Sequence, residues 1–244
     1  MTFDVMTLFP AQIENNLKES ITGRALTKGV IKLNAVNIRD FCDNDYGKVD
    51  DTIYGGGTGL LIKCDPVYQC WKSLFDSEEN RPYTIYVSPK GSVLNQKKVI
   101  ELSKKKEICI ICGHYEGIDS RVIDEICDEE ISIGDYVLTG GELAACVIID
   151  SVSRMIDGVL PNEDAFTNES HMDGTLEAPQ YTMPSSWHQS EVPEVLLSGN
   201  DAKINEHRRI ASLVETWQKR PDMLDNLEIS EDEWQKAIAM RKNL

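Results

Sequence analysis

The sequence lacks three features that would place it in familiar classes. It has no run of about 18 apolar residues, the length that a membrane-spanning helix needs, so we expect no membrane segment. Its first residues lack the basic region and apolar stretch of a secretion signal, which favours a cytoplasmic protein. It also lacks an excess of basic residues, since it has 25 Lys and Arg and 41 Asp and Glu, which gives a net charge of −16. That balance argues against a general binder of nucleic acids or anionic membranes, because both prefer basic surfaces.

The seven cysteines lack the pattern of a disulfide framework or a zinc site. Their odd number and scattered positions, without an export signal, indicate reduced thiols. Cys109 and Cys112 form a CxxC followed by His114, but no second Cys or His pair lies at ligand spacing. The pair falls inside the apolar run 108–112, which predicts a buried strand. We therefore favour core packing over metal or redox chemistry for this pair.

Short apolar strands alternate with helices through residue 156. This alternation predicts an α/β domain with a mainly parallel sheet. The predicted strands are 3–9, 30–38, 83–88, 109–112 and 130–133, and the predicted helices are 11–28, 65–75, 95–106, 121–127 and 142–155. The first helix should end at Gly29, a residue suited to the left-handed conformation that follows many helices. A polar loop is predicted over 40–59.

Three predicted loops leave the carboxyl ends of strands, at 88–91, 113–117 and 134–141. Ligands of parallel sheets bind beyond this edge, so we expect the binding site there. The loop 134–141 has three glycines in eight residues, which would let a ligand approach the backbone closely, although a wide turn would use them as well.

The rest of the chain divides into two further segments. After an α/β domain over 1–157, the periodicity disappears over 158–184, which we interpret as a linker with mobile character. A small helical domain is predicted over 185–244. Its first helix, 201–217, is amphipathic, and its last begins at a capping box formed by Ser230 and Glu233.

Two further features are open to more than one interpretation. The run 55–59, GGGTG, lacks the Lys-Ser/Thr of a P-loop, and the acidic pair before it would repel a phosphate, so we favour a loop that moves over a substrate. Arg154 follows Asp150 by four residues. The two could form an ion pair within a helix, or the arginine could stabilise charge that develops in a reaction.

Longer motifs resolve these alternatives. The run 131–143, ISIGDYVLTGGEL, and the run 112–119, CGHYEGID, are long and chemically unusual. Shorter segments accompany them at 23–25 (GRA), 49–51 (VDD), 54–57 (YGGG), 150–154 (DSVSR), 158–160 (GVL) and 220–222 (RPD). Together, over nearly the whole chain, they resemble the bacterial TrmD family. These enzymes are tRNA (guanine-N1)-methyltransferases that use S-adenosylmethionine (SAM).

The resemblance implies a fold that periodicity does not reveal. It is the SPOUT fold, an α/β domain whose C-terminal part forms a deep trefoil knot, an exception to the rule against knotted chains. A small helical C-terminal domain completes it. The resemblance also implies a homodimer, in which SAM lies in the knot of one subunit and the catalytic base comes from the other.

The cofactor site implied by the resemblance lies in the three loops of the sheet edge. Its residues would be Tyr86, Val87, Ser88, Pro89, Gly113, Tyr115, Glu116, Gly117, Ser132, Ile133, Gly134, Asp135, Tyr136, Val137, Leu138, Gly140 and Gly141. The carboxylate of Glu116 and the loop carbonyls would suit a cationic sulfonium. The family also suggests a magnesium requirement, but the sequence has no dedicated ligand cluster, and we assign no metal ligand.

The implied reaction needs a base and a cation. Guanine N1 carries a proton that must be removed, and the charge that develops on O6 needs a positive partner. Arg154 matches the family's arginine for the second role. The family's base is an aspartate, and here Glu169 stands at that position, with Asp173 and Asp164 as fallback candidates. The target base must also leave its stack to be reached.

The resemblance assigns substrate contacts and shows departures near them. The implied substrate residues are Arg24, Asp50, Gly59, Arg208 and Arg209. The departures from the family pattern are Thr58 and Ala144 in place of proline, Met183 in place of arginine and His207 in place of tryptophan. They lie on the substrate side more than on the cofactor side.

The leading hypothesis is therefore methylation of guanosine at position 37 of tRNA, beside the anticodon. The alternatives are a divergent enzyme that acts on another RNA or acceptor, and a SAM-binding RNA module without turnover. The segment 203–220 has five basic and two acidic residues, a local charge of +3 within an acidic protein. We expect it to bind RNA with weak nonspecific affinity, because phosphate contacts depend on such local patches.

Overall fold

The computed structural model divides the chain into two compact units, residues 1–162 and residues 163–244. The structure describes residues 1–43, 46–56, 58–161, 164–167 and 169–242. Gly57, in the glycine-rich loop, lies outside the described residues. Residues 163–184, which we predicted as part of a linker, group with the C-terminal unit.

A five-stranded sheet forms the centre of the N-terminal unit. Its strands are β1 (Thr2–Thr7), β2 (Lys32–Asn37), β5 (Tyr83–Val93), β6 (Glu107–Cys112) and β7 (Glu129–Ser132). They pair in the order β2-β1-β6-β5-β7, and every pairing is parallel. The predicted mixed α/β architecture with a mainly parallel sheet is thus confirmed.

Helices cover both faces of this sheet. They are α1 (Pro10–Leu17), α2 (Ser20–Thr27), α3 (Cys64–Lys72), α4 (Gln96–Leu102), α5 (Ser120–Ile126) and α6 (Glu142–Ser153). Apolar residues of α1, α2, α4 and α6 pack on one face, and those of α3 and α5 pack on the other. Sheets buried on both faces need strands that are apolar at successive positions, as β6 is.

Strand β6 also explains the CxxC pair. Successive side chains of a strand point to opposite faces, so Cys109 joins one apolar cluster and Cys112 joins the other. Both are fully buried, and burial raises the pKa of each thiol well above its ordinary value. Two thiols on opposite faces cannot bind one metal ion together, and the predicted core packing is confirmed.

Three predictions of local structure were wrong. The helix predicted over 11–28 is two helices, because the chain turns at Ser20 (φ 57°) and brings the carbonyl of Lys18 directly against Gly23. The loop predicted over 40–59 contains β3 (Asp50–Thr52), which pairs antiparallel with β4 (Leu60–Ile62). Strands of three residues are too short to show a period in the sequence.

The third correction concerns residues 88–91, which we predicted as a loop after a strand. The structure includes them in β5, but the register there shifts, because Val87 and Ser92 both align with Ile131 of β7. Residues 88–91 therefore bulge out of the ladder between two paired segments. Gly91 makes this possible, since a side chain at this position would collide with the backbone of Glu130.

The C-terminal unit is built on two packed helices. Its elements are α7 (Asp164–Thr167), β8 (Ser186–Trp187), β9 (Ser190–Glu191), α8 (Glu194–Leu197), α9 (Asp201–Lys219) and α10 (Glu231–Lys242). Leu213 of α9 and Ala237 of α10 are fully buried in one cluster. The predicted capping box is confirmed, since the backbone N–H of Ser230 donates to Glu233 at 3.0 Å and the backbone N–H of Glu233 donates to the Ser230 hydroxyl at 3.3 Å.

Candidate cofactor and catalytic sites

A cavity of about 340 Å³ lies at the carboxyl edge of the parallel sheet. Sixteen of the seventeen residues predicted to bind the cofactor line it. The exception is Asp135. The structure thus brings together residues from three loops that lie up to 55 positions apart in the chain. Further lining residues, which the sequence analysis did not assign to the cofactor, are Lys90, His114, Ile118, Ser120, Ile123, Asp124, Glu130, Ile131, Thr139 and Ala144.

Backbone hydrogen bonds fix the loops of this cavity to one another. The N–H of Gly141 donates to the carbonyl of Gly113 at 2.9 Å, and His114 pairs with Gly140 as an antiparallel bridge. The N–H of Glu116 donates to the carbonyl of Leu60 at 3.1 Å. The loop 113–117 is therefore held between the loop 134–141 and the strand β4. Backbone bonds of this kind do not depend on which side chains are present, so the cavity wall has a fixed geometry.

Tyr86 explains two of the glycines in the cavity wall. A Cβ atom on Gly113 would lie 2.8 Å from the Tyr86 hydroxyl oxygen, and one on Gly117 would lie 3.3 Å from it. Gly117 also has a φ of 115°, which favours glycine. Burial raises the pKa of Tyr86 to about 12, so its hydroxyl is neutral at physiological pH. The tyrosine thus shapes the loop 113–117 as a neutral spacer.

Gly141 allows the second loop to approach the sheet. It starts α6 with a φ of −81°, a conformation that any residue adopts, so conformational freedom does not account for it. A Cβ atom there would lie 2.6 Å from Val87 Cγ2 and 2.8 Å from Cys112 Cα. Close packing against two strands is therefore what requires glycine at this position. This favours a built site over a wide turn for the loop 134–141.

Two polar contacts near the cavity were missed by the sequence analysis. The Arg39 guanidinium donates to the Tyr115 hydroxyl at 3.2 Å. Glu142, buried at the start of α6, accepts a hydrogen bond of 2.7 Å from the Thr7 hydroxyl. Both pairs join residues far apart in the chain, and nothing in their spacing points to them. Glu142 belongs to the run 131–143 that carries the family resemblance, and the sequence holds no further sign of its contact with Thr7.

The remaining predicted residues of the N-terminal unit lie outside the cavity wall. Gly59 lies beside the Glu116 side chain, since a Cβ atom on Gly59 would lie 2.6 Å from Glu116 Cγ. Asp50 is buried at the start of β3, and Arg24 is exposed on α2. Arg154 is half-buried and ends α6.

Asp150, four residues before Arg154, forms a hydrogen bond to a residue of α2. The Asp150 carboxylate accepts a hydrogen bond of 2.9 Å from the Thr22 hydroxyl. Asp150 thereby joins α6 to α2.

The C-terminal unit has a cavity of its own, of about 880 Å³, lined among others by Asp173, Arg208 and Arg209. Glu169 is half-buried and begins the folded segment 169–177, which we call the base-bearing turn because it contains the predicted base. The backbone N–H of His171 donates to the carbonyl of Thr175 at 2.7 Å and closes this turn. For the fallback candidate Asp164, the structure describes only its backbone position at the start of α7.

Within the described ranges, no group of three or more His, Cys, Asp or Glu side chains is arranged to hold a metal ion. In that same part of the chain, no helix is both long enough and apolar enough to span a bilayer.

Fold and site together define a class. A parallel α/β sheet with a glycine-walled cavity at its carboxyl edge is the architecture of enzymes that bind a small organic cofactor. The family model described as tRNA (Guanine-1)-methyltransferase TrmD matches residues 1–226. The chain belongs to this family, as its motifs predicted.

Individual relatives agree with the family model. A tRNA (guanine-N(1)-)-methyltransferase of Ruminiclostridium cellulolyticum is 52% identical over 227 residues, which cover 93% of this chain and 97% of the relative. The protein of the same name from Finegoldia magna is 51% identical, over 91% of this chain and 94% of its own. That from Anoxybacillus flavithermus is 46% identical over 243 residues, 100% of this chain and 99% of the relative.

Proposed function

We propose that this protein transfers a methyl group from SAM to N1 of guanosine at position 37 of tRNA. The observation that supports this most strongly is the family match over residues 1–226, which includes both the cavity and the base-bearing turn. Relatives that are 46–52% identical over nearly their full length are named tRNA (guanine-N(1)-)-methyltransferases. A tRNA substrate supports a cytoplasmic location, which we propose as well.

The cavity suits SAM in size and charge. Its volume of about 340 Å³ falls in the range of pockets for small organic ligands. Its wall combines apolar side chains such as Ile133 and Leu138 with three carboxylates and one lysine. An excess of carboxylates favours a cationic sulfonium over a dinucleotide. When bound, SAM would supply an electrophilic methyl group, and the sixteen predicted cofactor residues in the cavity wall would hold and orient it.

The two catalytic roles fall to Glu169 and Arg154. The Glu169 carboxylate takes the proton from guanine N1, which makes the nitrogen nucleophilic. The Arg154 guanidinium then stabilises the negative charge that develops on O6. The fallback candidate Asp173 accepts two hydrogen bonds from Thr175 and forms an ion pair with Arg209.

An exposed apolar surface supports a homodimer. Leu143 and Val147 lie one turn apart on α6 and remain 49% and 46% exposed, and Val137 before that helix is 82% exposed. Side chains of this size on one side of a helix are typical of a protein–protein interface. We propose that a second copy of the chain covers them, that the α/β domain forms the SPOUT knot, and that each active site takes its base from the partner subunit.

The tRNA would contact both units. Arg24, Asp50 and Gly59 belong to the N-terminal unit, and Arg208 belongs to α9, where it is exposed. The small C-terminal unit, with its basic segment 203–220, would hold the RNA through phosphate contacts. A magnesium requirement remains a proposal from the family alone.

A nucleoside assay tests the reaction. Purified protein is incubated with SAM and an unmodified tRNA transcript, and the digested RNA is analysed by mass spectrometry. We expect 1-methylguanosine from a transcript with guanosine at position 37 and none from a matched transcript with adenosine there. Absence of 1-methylguanosine with the first transcript would reject the proposal. Methylation of another nucleoside would favour the divergent acceptor, which the departures at Ala144 and Met183 suggest.

A further inference from the structure

Arg209 differs from its neighbour Arg208 in what it contacts. The Arg209 guanidinium lies 3.1 Å from an Asp173 carboxylate oxygen through Nη1 and 3.0 Å from a Glu233 carboxylate oxygen through Nε. Its side chain is one-third exposed, whereas Arg208 belongs to the exposed residues of α9. Both were assigned to the substrate by family resemblance. Arg208 is the more exposed of the two.

The Asp173 contact leads directly into the base-bearing turn. The other oxygen of Asp173 accepts hydrogen bonds from the Thr175 backbone N–H at 2.9 Å and from its hydroxyl at 2.6 Å. Thr175 is buried, and its carbonyl accepts the bond from His171 that closes the turn. Arg209 therefore holds Asp173 in place, and Asp173 holds Thr175, which closes the turn. Glu169 begins that same turn.

Uncharged contacts fix the far end of the turn to the same helix. The Ser212 hydroxyl donates to the Leu176 carbonyl at 2.6 Å, and the Leu176 N–H donates to the Thr216 hydroxyl at 2.8 Å. Glu233 in turn belongs to the capping box that starts α10. Arg209 thus joins three elements of the C-terminal unit, namely the base-bearing turn, α9 and the start of α10.

Electrostatics disfavours Arg209 as a phosphate ligand. Two carboxylates already flank its single positive charge. A phosphate that approached this guanidinium would meet the negative charges of Asp173 and Glu233 at short range, which opposes binding. No carboxylate is described beside the exposed Arg208, so a phosphate that approached Arg208 would not meet this repulsion. The two adjacent arginines therefore have different roles.

We propose that Arg209 is a positioning residue, which holds the base-bearing turn against α9 and α10, and that Arg208 provides the phosphate contact. This inference rests on the proposed function, since it takes Glu169 as the base. It predicts that loss of Arg209 reduces turnover without weakening tRNA binding. Loss of Arg208 should do the opposite.

Steady-state kinetics of Arg209→Met and of the matched control Arg208→Met test this division. For Arg209→Met we expect kcat to fall on the order of 10-fold to 100-fold, because misplacement of a reacting group by about 1 Å costs this much. The KM and Kd for tRNA should stay within about twofold, since no RNA contact is lost. For Arg208→Met we expect KM and Kd to rise while kcat stays near that of the wild type.

Two further measurements keep the test decisive if Arg209→Met is poorly folded. Asp173→Asn removes the charge on the other side of the contact, and it should lower kcat in the same way. Its effect and that of Arg209→Met should be less than additive in the double variant, because both break the Arg209–Asp173 contact. Hydrogen exchange should increase in residues 169–177 of either variant and stay unchanged in the α6 segment.

The outcomes separate this inference from the proposed function. An Arg209→Met enzyme with normal kcat and a raised KM for tRNA would overturn the positioning role and leave the methyltransferase assignment intact. A wild-type enzyme without 1-methylguanosine formation would reject the proposed function before any variant is compared. Additive effects of Asp173→Asn and Arg209→Met would also contradict the inference.

Discussion

The two units build their sites by different means. In the N-terminal unit, the cavity wall consists of loops that bond to one another through the backbone, as Gly141 does with Gly113. In the C-terminal unit, the base-bearing turn is held by side chains, above all Asp173, Arg209 and Thr175. Contacts made through the backbone do not need a particular side chain, but they fail where an added side-chain atom would collide with a neighbour. Side-chain contacts fail when one partner is replaced. The two regions should therefore respond to different substitutions.

The largest effect is expected from Glu169→Gln in the base-bearing turn. The amide cannot take the proton from guanine N1, so kcat should fall by a factor on the order of 10² to 10⁴. SAM affinity, measured by calorimetry, should not change, because the cavity belongs to the other unit. Glu177→Gln, an exposed change in the same turn, is the matched control and should keep normal turnover. Near-normal turnover of Glu169→Gln would move the base to another residue.

The next largest effect is expected from Gly141→Ala in the cavity wall. The added methyl group would collide with Val87 and Cys112, at a cost of about 1–3 kcal/mol. Relief of the collision moves the loop, so we expect the Kd for SAM to rise by roughly 5-fold to 150-fold.

Gly29→Ala is the control for this change. Gly29 has a φ of 71° with nothing within 4 Å of an added Cβ atom, so only stability should fall there, by about 1 kcal/mol. Unchanged SAM affinity in Gly141→Ala would show that the close approach at Gly141 is not needed.

A smaller effect, with a pH dependence of its own, is expected from Asp4→Asn in the sheet. Burial raises the pKa of Asp4 to about 6, with the nearby Glu107 as a further cause. The folded state thus holds the proton more tightly than the unfolded state, and stability falls as the pH rises from about 4 through 6. The variant removes this penalty and should be more stable at pH 7 by about 1–2 kcal/mol. Denaturant unfolding at pH 7 and pH 4 should show the gain only at the higher pH.

The smallest effect, of opposite sign, is expected from Glu233→Gln in the C-terminal unit. Hydrogen bonds from Ser230 and Arg209 lower the pKa of Glu233 to about 2. Its stabilisation is therefore complete above pH 4.5 and is lost as the pH falls toward 2. The variant should lose about 1 kcal/mol at pH 7, a loss that disappears in acid. Glu231→Gln at the same helix start is the control, and an equal loss there would contradict a special role for the Glu233 carboxylate charge.

The sequence predicted the N-terminal unit better than the C-terminal one, for a physical reason. The parallel sheet follows from short apolar runs, and the cavity follows from motifs that lie at successive strand ends. The turn between α1 and α2 escaped prediction because it depends on the Lys18 carbonyl meeting Gly23, a contact that no periodicity encodes. The contacts of Arg209 escaped it because Asp173 and Glu233 are 60 residues apart and meet only in the folded unit.

The claim that the cavity of one subunit works with the base of its partner can be tested in one heterodimer. One subunit contains Glu169→Gln and the other Gly141→Val, a bulkier change that should abolish SAM binding, and two affinity tags isolate the mixed pair. A site shared across subunits leaves one of two sites intact, so we predict 1-methylguanosine formation at about half the wild-type rate. If each site were built from a single subunit, both sites would be defective. A heterodimer without activity would therefore contradict the account.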